Sequence, residues 1–363
     1  MTRARDLADL GGSANAGTVT GESLIINGDM AVAQRGDKTG IINGYGGADR
    51  WLFARVGAAA ATLSQETDVP SNQGFSYSQK VDITTADNSL AAGDYGLLLH
   101  RIEGQNLQHL LYGTSEAKKL TLQFWVKSSK TGTHVVEFGH IAASYQNSQT
   151  YTISTADTWQ KVTMTFDGYT PTNFTNDNSN QLQLVWWLAA GSTFSGGTLS
   201  ENTWHNTSAN RAAGQVNVLD STSNAFYITG VKLEVGSTAT PFKHETYAEN
   251  LNKCQRYYVK KTPGNGNIIG IGMAYGTTSA YTDLYFPVEM RTTPSGTFSS
   301  TNGHWEFRNR SGDITNSGAP NITSATAFSA RMDMALNGQV SDGSAGWIEA
   351  DDAAAYYELN AEL

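Results

Sequence analysis

The sequence predicts an all-β protein: a jelly-roll β-sandwich, then a short helix, then a second, smaller β-sandwich domain. Three observations carry that prediction. Charged residues make up only 16% of the 363, while Gly alone accounts for 37 and Ser, Thr and Asn fill much of the remainder. Those four are poor helix formers, and the good ones (Glu, Lys, Arg) are scarce. The 16 Tyr, 13 Phe and 8 Trp supply a core, so low charge here does not mean disorder. Apolar residues also recur with a period of two in segment after segment, whereas one stretch alone carries helix signals. The length is too great for one ordinary domain and suits two.

Taken in order, residues 1–22 end in Gly11-Gly12-Ser13-Ala14-Asn15-Ala16-Gly17. That composition reads as a flexible tail or as an anchoring arm that orders against a partner. Residues 23–243 read as the sandwich. Leu120, Leu122, Phe124 and Val126 alternate with Thr121, Gln123, Trp125 and Lys127. Val162, Met164 and Phe166 alternate with Lys161, Thr163 and Thr165, and Leu182, Leu184, Trp186 and Leu188 stand opposite Gln181, Gln183, Val185 and Trp187. Tyr227, Val231, Leu233 and Val235 close the set, and turn-forming residues bound each segment. Residues 189–218 break the pattern with a long, polar, Gly-rich loop around a lone Trp204, a length associated with functional or interfacial loops.

The helix signal lies in residues 244–262. Thr246 with Glu249 fits a capping box, Tyr247, Leu251, Cys254 and Tyr258 fall on one helical face, and Pro263-Gly264 stops the run. Residues 263–363 return to strands at Tyr281–Val288, His304–Arg308, Phe328–Leu336 and a terminal stretch. Gly264, Gly266 and Gly270 read as a flexible hairpin, and the acidic end (Glu349, Asp351, Asp352, Glu358, Glu362) as a solvated sheet edge.

A formal charge of −9 lacks the footprint of a general nucleic-acid binder. One cysteine, Cys254, excludes an intrachain disulfide and reads as a small packing residue. No apolar run approaches the ~20 residues of a spanning helix, so membrane insertion is not expected. Basic residues at the N-terminus have no apolar stretch behind them, unlike a secretory signal, which places synthesis in a cytoplasm. Catalytic signatures fail on inspection. The glycines at 264, 266 and 270 do not have dinucleotide spacing, and His244-Glu245 is followed by Ala248 where a zincin needs its second His. A non-enzymatic protein without a cofactor is expected. The loop from Asp167 to Asp177 offers oxygen ligands for a structural Ca²⁺, and turn chemistry accounts for the same residues.

What remains is aromatic placement. If Phe124 and Trp186 face a core, Trp125 and Trp187 face away from it. An indole on the outside of a sheet needs a cover: the long loop, another subunit, or a ligand. Sugars present apolar C–H faces and many hydroxyls, which aromatic platforms and side-chain amides together recognise. Trp125, Trp187, Trp204, Tyr145 and Asn147 are the candidate residues for glycan binding or a subunit interface.

Several stretches resemble the tail-fibre or receptor-binding virion proteins of tailed bacteriophages and prophages. They are Ile25–Gly36, containing Asn27-Gly28-Asp29-Met30 and Gln34-Arg35-Gly36, then Ala48-Asp49-Arg50-Trp51, and Leu122–Ser128 with Thr158-Trp159-Gln160. Further along come Tyr227–Gly236 with Ala239-Thr240-Pro241-Phe242, Glu249–Tyr258, Phe286–Pro294 and the terminal Asn360-Ala361-Glu362-Leu363. The resemblance covers about residues 24–294 and the C-terminus. It implies a jelly roll similar to carbohydrate-binding modules, a helical joint and a small β domain, usually in a homotrimer on the virion. It implies that Asn27, Asp29, Gln34 and Arg35 fix the first strand and its turn, and it supplies no catalytic residue. The expected function is attachment to host surface glycans, with residues 1–22 joining other virion proteins. A purely structural fibre or decoration protein of capsid or tail, and a depolymerase that cuts the glycan, are the other readings.

Overall fold

The structure, a computed structural model, describes residues 21–363. The anchoring role expected of residues 1–22 therefore falls almost wholly outside the described residues. The described chain divides into two units, residues 21–250 with Leu363, and residues 251–362.

The first unit carries β1 (Lys38–Ile41), β2 (Asn43–Tyr45), β3 (Leu52–Val56), β4 (Ala60–Glu66), β5 (Ser78–Thr85) and β6 (Tyr95–Glu103). It continues with β7 (Leu120–Ser128), β8 (Gly132–His140), β9 (Tyr145–Ile153), β10 (Gln160–Phe166) and β11 (Asn180–Ala190). After the single turn α1 (Ser192–Ser195) comes β12 (Ala225–Val235). Two six-stranded antiparallel sheets result, ordered β1-β4-β5-β12-β7-β10 and β2-β3-β6-β11-β8-β9. From β6 to β8 and from β9 to β12 the chain changes sheet at every step, as a jelly roll requires. The alternation read from the sequence sets the layers: Phe124 on β7 and Trp186 on β11 meet edge to face at 5.4 Å, and Trp51 packs on Trp186 at 5.5 Å. Leu122, Phe166, Leu184 and Phe138 complete a dry interior. Each such side chain contributes about 1.5–3 kcal/mol by burial.

One strand departs from the expected phase. A bulge at Gly230 and Val231, with Gly230 at φ +60°, separates the Thr229↔Trp125 pair from the Lys232↔Gln123 pair. The extra residue flips the alternation, so Tyr227 faces outward opposite Lys127 while Val231, Leu233 and Val235 face the core. Residues 25–37 form no strand, against the implication that Asn27 and its neighbours fix one. They fold into an irregular hub in which Asn27 (φ +58°) accepts from Val32 N and donates Nδ2 to the carbonyls of Val32 and Asp49. Gly28 is required there, because a Cβ would sit 2.0 Å from the Val231 carbonyl oxygen.

The helix α2 (Tyr247–Gln255) starts with the expected capping box: Glu249 N donates to Thr246 Oγ1 and Thr246 N to Glu249 Oε2. It is shorter than the sequence suggests. Tyr247 is exposed, and the side that turns inward carries Asn250, whose Nδ2 donates to Asn27 Oδ1 at 3.2 Å and Asp29 Oδ1 at 3.0 Å. Tyr258 belongs to a strand instead. Cys254 is buried.

The second unit holds β13 (Tyr258–Lys261), β14 (Asn267–Ala274), β15 (Ser279–Tyr285), β16 (Ser295–Phe298) and β17 (Trp305–Asn309). It ends with β18 (Gly312–Thr315), β19 (Asn321–Thr323), β20 (Ser329–Ala335), β21 (Ala345–Ala350) and β22 (Tyr357–Asn360). These form a three-stranded sheet, β13-β22-β16, and a seven-stranded sheet, β18-β17-β21-β14-β15-β20-β19. Trp305, Phe307, Met332, Met334 and Ile348 are buried between them with Phe298. Two expectations change. The Gly-rich stretch read as a hairpin runs into β14, the middle strand of seven; Gly272 lies where a Cβ would come 2.6 Å from the Tyr281 carbonyl oxygen. The acidic end is no sheet edge: Glu349 on interior β21 lies 3.3 Å from Arg308, and Glu358 on interior β22 lies 3.1 Å from Lys260.

Candidate functional site

The outer face of the second sheet is half covered and half open, and the boundary between the halves is a candidate site. Strand alternation points Gln183, Val185 and Trp187 of β11 outward, beside Val135, Glu137 and Gly139 of β8 and Leu97, Leu99 and Arg101 of β6. The 189–218 loop lies over the Trp187 end. Phe194, Leu199 and Ala212 pack with Leu97, Leu99, Val135, Val185 and Trp187 as a second small core. The loop is tied down by polar contacts as well. Gln215 Oε1 accepts from Val135 N at 2.7 Å, and His205 exchanges backbone hydrogen bonds with Gln146 at 2.7 and 2.8 Å on the edge strand β9.

Arg211 fixes where the cover stops. Its Nε and Nη2 donate to the two oxygens of Glu137 at 2.9 and 2.6 Å, and its guanidinium lies over the rings of Trp187 (5.1 Å) and Phe194 (5.6 Å). Glu137 has no exposed side chain. Burial opposes the Arg211 charge, and the adjacent carboxylate outweighs that effect, raising its pKa further. A bidentate pair in this geometry holds both partners in place and leaves no net charge.

Beyond Arg211 the face opens into a cavity of about 210 Å³ lined by Gly139, His140, Ile141, Ser144, Tyr145, Gln146, Gln183 and Arg211. Gly139 gives it depth, since a Cβ there would approach Gln183 Cγ to 3.3 Å. Among the described residues no hydrogen-bond partner meets Gln146 Oε1, a buried acceptor, and a buried acceptor without a partner costs about 1–3 kcal/mol. Tyr145 stands half-buried at the rim, its ring 5.7 Å from that of Tyr169, and Ile141 is exposed beside it. Burial lowers the pKa of His140 below the ordinary imidazole value, its hydrogen bond to Gln181 Oε1 only partly offsetting it, so this side chain is neutral near neutral pH.

The sequence-derived candidates separate sharply. Tyr145 lines the cavity. Trp187 is 1% exposed beneath the chain's own loop, which removes it from any surface a ligand or neighbour touches. Trp204 caps the end of the sandwich, its ring 4.8 Å from Tyr169 and its Nε1 donating to the Asp167 carbonyl at 2.8 Å. Asn147 is fully buried; it lies on the opposite side of β9 from Gln146, with Nδ2 3.4 Å from Asn202 Oδ1. Trp125 is half-buried on the outer face of the other sheet, between Lys161 and Thr229. Gln183, Gln146, Gly139 and Arg211 were missed, although the outward row containing Gln183 was legible. Asp167 pairs with Lys119 at 2.6 Å and Asp177 accepts from Ser179, and no group of three His, Cys, Asp or Glu among the described residues is arranged to hold a metal.

No protein-family model matches the sequence, and no curated protein matches it. Among solved structures it is similar to a CBM4 structure at 15% identity and TM-score 0.30, covering 58% of this chain and 98% of that one. It is also similar to a putative sugar binding protein from Bacteroides thetaiotaomicron VPI-5482 at 13% identity and TM-score 0.31, covering 59% and 100%. A third likeness is to the enzymatically active domain of tailspike protein 4 of bacteriophage CBA120, at 14% identity and TM-score 0.29; it covers 52% of this chain and only 19% of the tailspike chain. TM-scores this low identify neither a binding residue nor a ligand for this chain. The sandwich of the first unit rests on its own two six-stranded sheets.

Proposed function

We propose that this protein binds a neutral, hydroxyl-rich glycan in the cavity beside Arg211, without cutting it. The observation that carries the reading is a pocket in which the amides of Gln183 and Gln146 meet on one outward face, with half-buried Tyr145, whose ring also packs on the sandwich core, at its end. Amides donate to and accept from hydroxyls, and a tyrosine ring packs on sugar C–H faces. Arg211 is already neutralised by Glu137, so a sugar acid gains no free cation there. Its lining of amide, phenol, imidazole and guanidinium groups suits the holding of hydroxyls rather than the paired carboxylates of glycosidic hydrolysis.

The biological setting is a bacteriophage virion, on the strength of the motif runs from Ile25 to Tyr258, and the glycan is one of the host cell surface. A single site of this size binds weakly, and several copies on one particle multiply its effect. The test is binding of the full chain to an array of neutral hexose and N-acetylhexosamine oligosaccharides. Gln183→Ala and Tyr145→Ala each reduce affinity about tenfold or more, the worth of one lost hydrogen bond or stacking contact, while Trp125→Ala leaves it unchanged. Equal binding by wild type and Gln183→Ala refutes the assignment. Release of reducing sugar ends would replace the binding role with a depolymerase.

A further inference from the structure

Past the cavity, the outward row of polar side chains continues onto the 189–218 loop. Gln183 of β11, Gly139 of β8 and Gln146 of β9 are direct cross-strand partners, and His205 pairs with Gln146 through an isolated antiparallel bridge. Residues directly opposite one another in a sheet project their side chains from the same face. His205 therefore stands on the cavity side of the sheet, one step beyond the edge strand.

The two neighbours carry opposite, unmet hydrogen-bonding needs. Thr207 N donates to His205 Nδ1 at 3.2 Å, so the proton of the neutral ring lies on Nε2. That Nε2 is buried and meets no acceptor among the described residues. Burial lowers the His205 pKa, the Glu137 carboxylate opposing the shift and the Arg211 charge adding to it, so the ring is neutral at pH 7. Gln146 Oε1, beside it on the same face, is a buried acceptor that meets no donor among them. A donor and an acceptor buried side by side without partners destabilise the free protein. One group that serves both at once relieves the pair.

The spacing suits a single hydroxyl. Opposite residues hold their Cβ atoms about 4.5–5.5 Å apart. One oxygen that donates at ~2.8 Å and accepts at ~2.9 Å, with a roughly tetrahedral angle between the two bonds, spans about 4.7 Å. Other groups on a sugar meet half of the demand: a ring, glycosidic or acyl oxygen only accepts, and an ammonium only donates.

We propose that His205 is a ligand-contacting residue, and that with Gln146 it holds one free sugar hydroxyl. The hydroxyl donates to Gln146 Oε1 and accepts from His205 Nε2–H. This inference rests on the glycan reading of the cavity and adds a selection rule to it. A sugar methylated or acetylated at that oxygen no longer donates to Gln146, and its added group stands between the two side chains. The site then separates a bare polysaccharide from the same chain with that hydroxyl capped.

Saturation-transfer NMR and calorimetry of the full chain test it. The probes are the methyl glycosides of glucose, galactose, mannose and N-acetylglucosamine, and the mono-O-methyl ethers of each. With wild type, one ether of the bound glycoside loses about tenfold in affinity. His205→Phe keeps a planar ring without Nε2–H; it weakens the parent glycoside about tenfold and shrinks the penalty for that ether. His205→Gln restores a donor and recovers most of the affinity and of the penalty. His205→Phe keeps the melting temperature of wild type, because exposed Thr207 passes its N–H to water, which separates a lost contact from lost folding. Wild type that binds none of these glycosides and none of the array oligosaccharides overturns the glycan reading and this one with it. Binding that Gln183→Ala abolishes and His205→Phe leaves unchanged overturns this inference alone. So does a wild type that takes every mono-O-methyl ether as tightly as its parent.

Discussion

Gln183 and Trp187 project from the same face of β11, four residues apart, yet one borders an open cavity and the other is sealed under Phe194, Ala212 and Arg211. The sequence assigned both to the outward side, and nothing in the strand itself says which of them the 189–218 loop will reach. The distinction predicts opposite phenotypes. Trp187→Ala empties a packed site and costs about 3–5 kcal/mol, read as a lower urea midpoint. Gln183→Ala removes a buried amide that faces the cavity, costs only about 1 kcal/mol, and loses glycan binding. Arg211→Ala leaves Glu137 buried without its partner, which costs about 3–5 kcal/mol. Exchanging both for Met and Leu recovers most of that stability, so a double-variant cycle separates the ion pair from the packing.

Local signals at the scale of elements succeeded where the interaction was itself local. The capping box at Thr246 and Glu249 spans three residues and forms as read; Glu249→Ala lowers stability by about 1 kcal/mol, measurable by thermal melting. Failures came where a neighbour distant in sequence decides. Gly270 resembles a turn residue until Thr282 of the adjacent strand is seen to need the space. Glu349 resembles a solvated edge until Arg308 appears on the next strand. Gly230 marks the bulge that moves Tyr227 to the outer face, because one added residue inverts a period of two. The cavity shows the same division: the Gln183 row was legible, whereas its meeting with Gln146, Tyr145 and Arg211 depends on a loop path no periodicity encodes.

Across the whole molecule, buried histidines set the response to acid. His134 lies inside the sandwich, its Nε2–H donating to the Lys130 carbonyl at 3.0 Å and its ring stacked on Tyr151 at 5.4 Å. Burial, only partly opposed by that bond, lowers its pKa from 6.5 to about 4. His100 is also lowered well below its ordinary value, by burial and by the nearby Arg50 charge. Both bind protons more readily when unfolded. The stability they contribute is therefore complete above pH 6.5 and is lost as pH falls toward their folded values. His134 alone accounts for about 3 kcal/mol of that loss between pH 6.5 and 4. Urea unfolding across this window tests the sign: wild type weakens as pH falls, and His134→Phe shows a smaller slope.

The sequence by itself determined the all-β class, the faces of the regular strands and the helix cap, because these follow from composition, a two-residue period and contacts within one turn. Tertiary structure decided which outward faces stay open. The loop buries Trp187 and stops at Arg211, leaving the Gln183 cavity, while Ile271 of β14 stays 86% exposed. Exposure is a property of what arrives from elsewhere in the chain, and alternation along a strand carries no information about it.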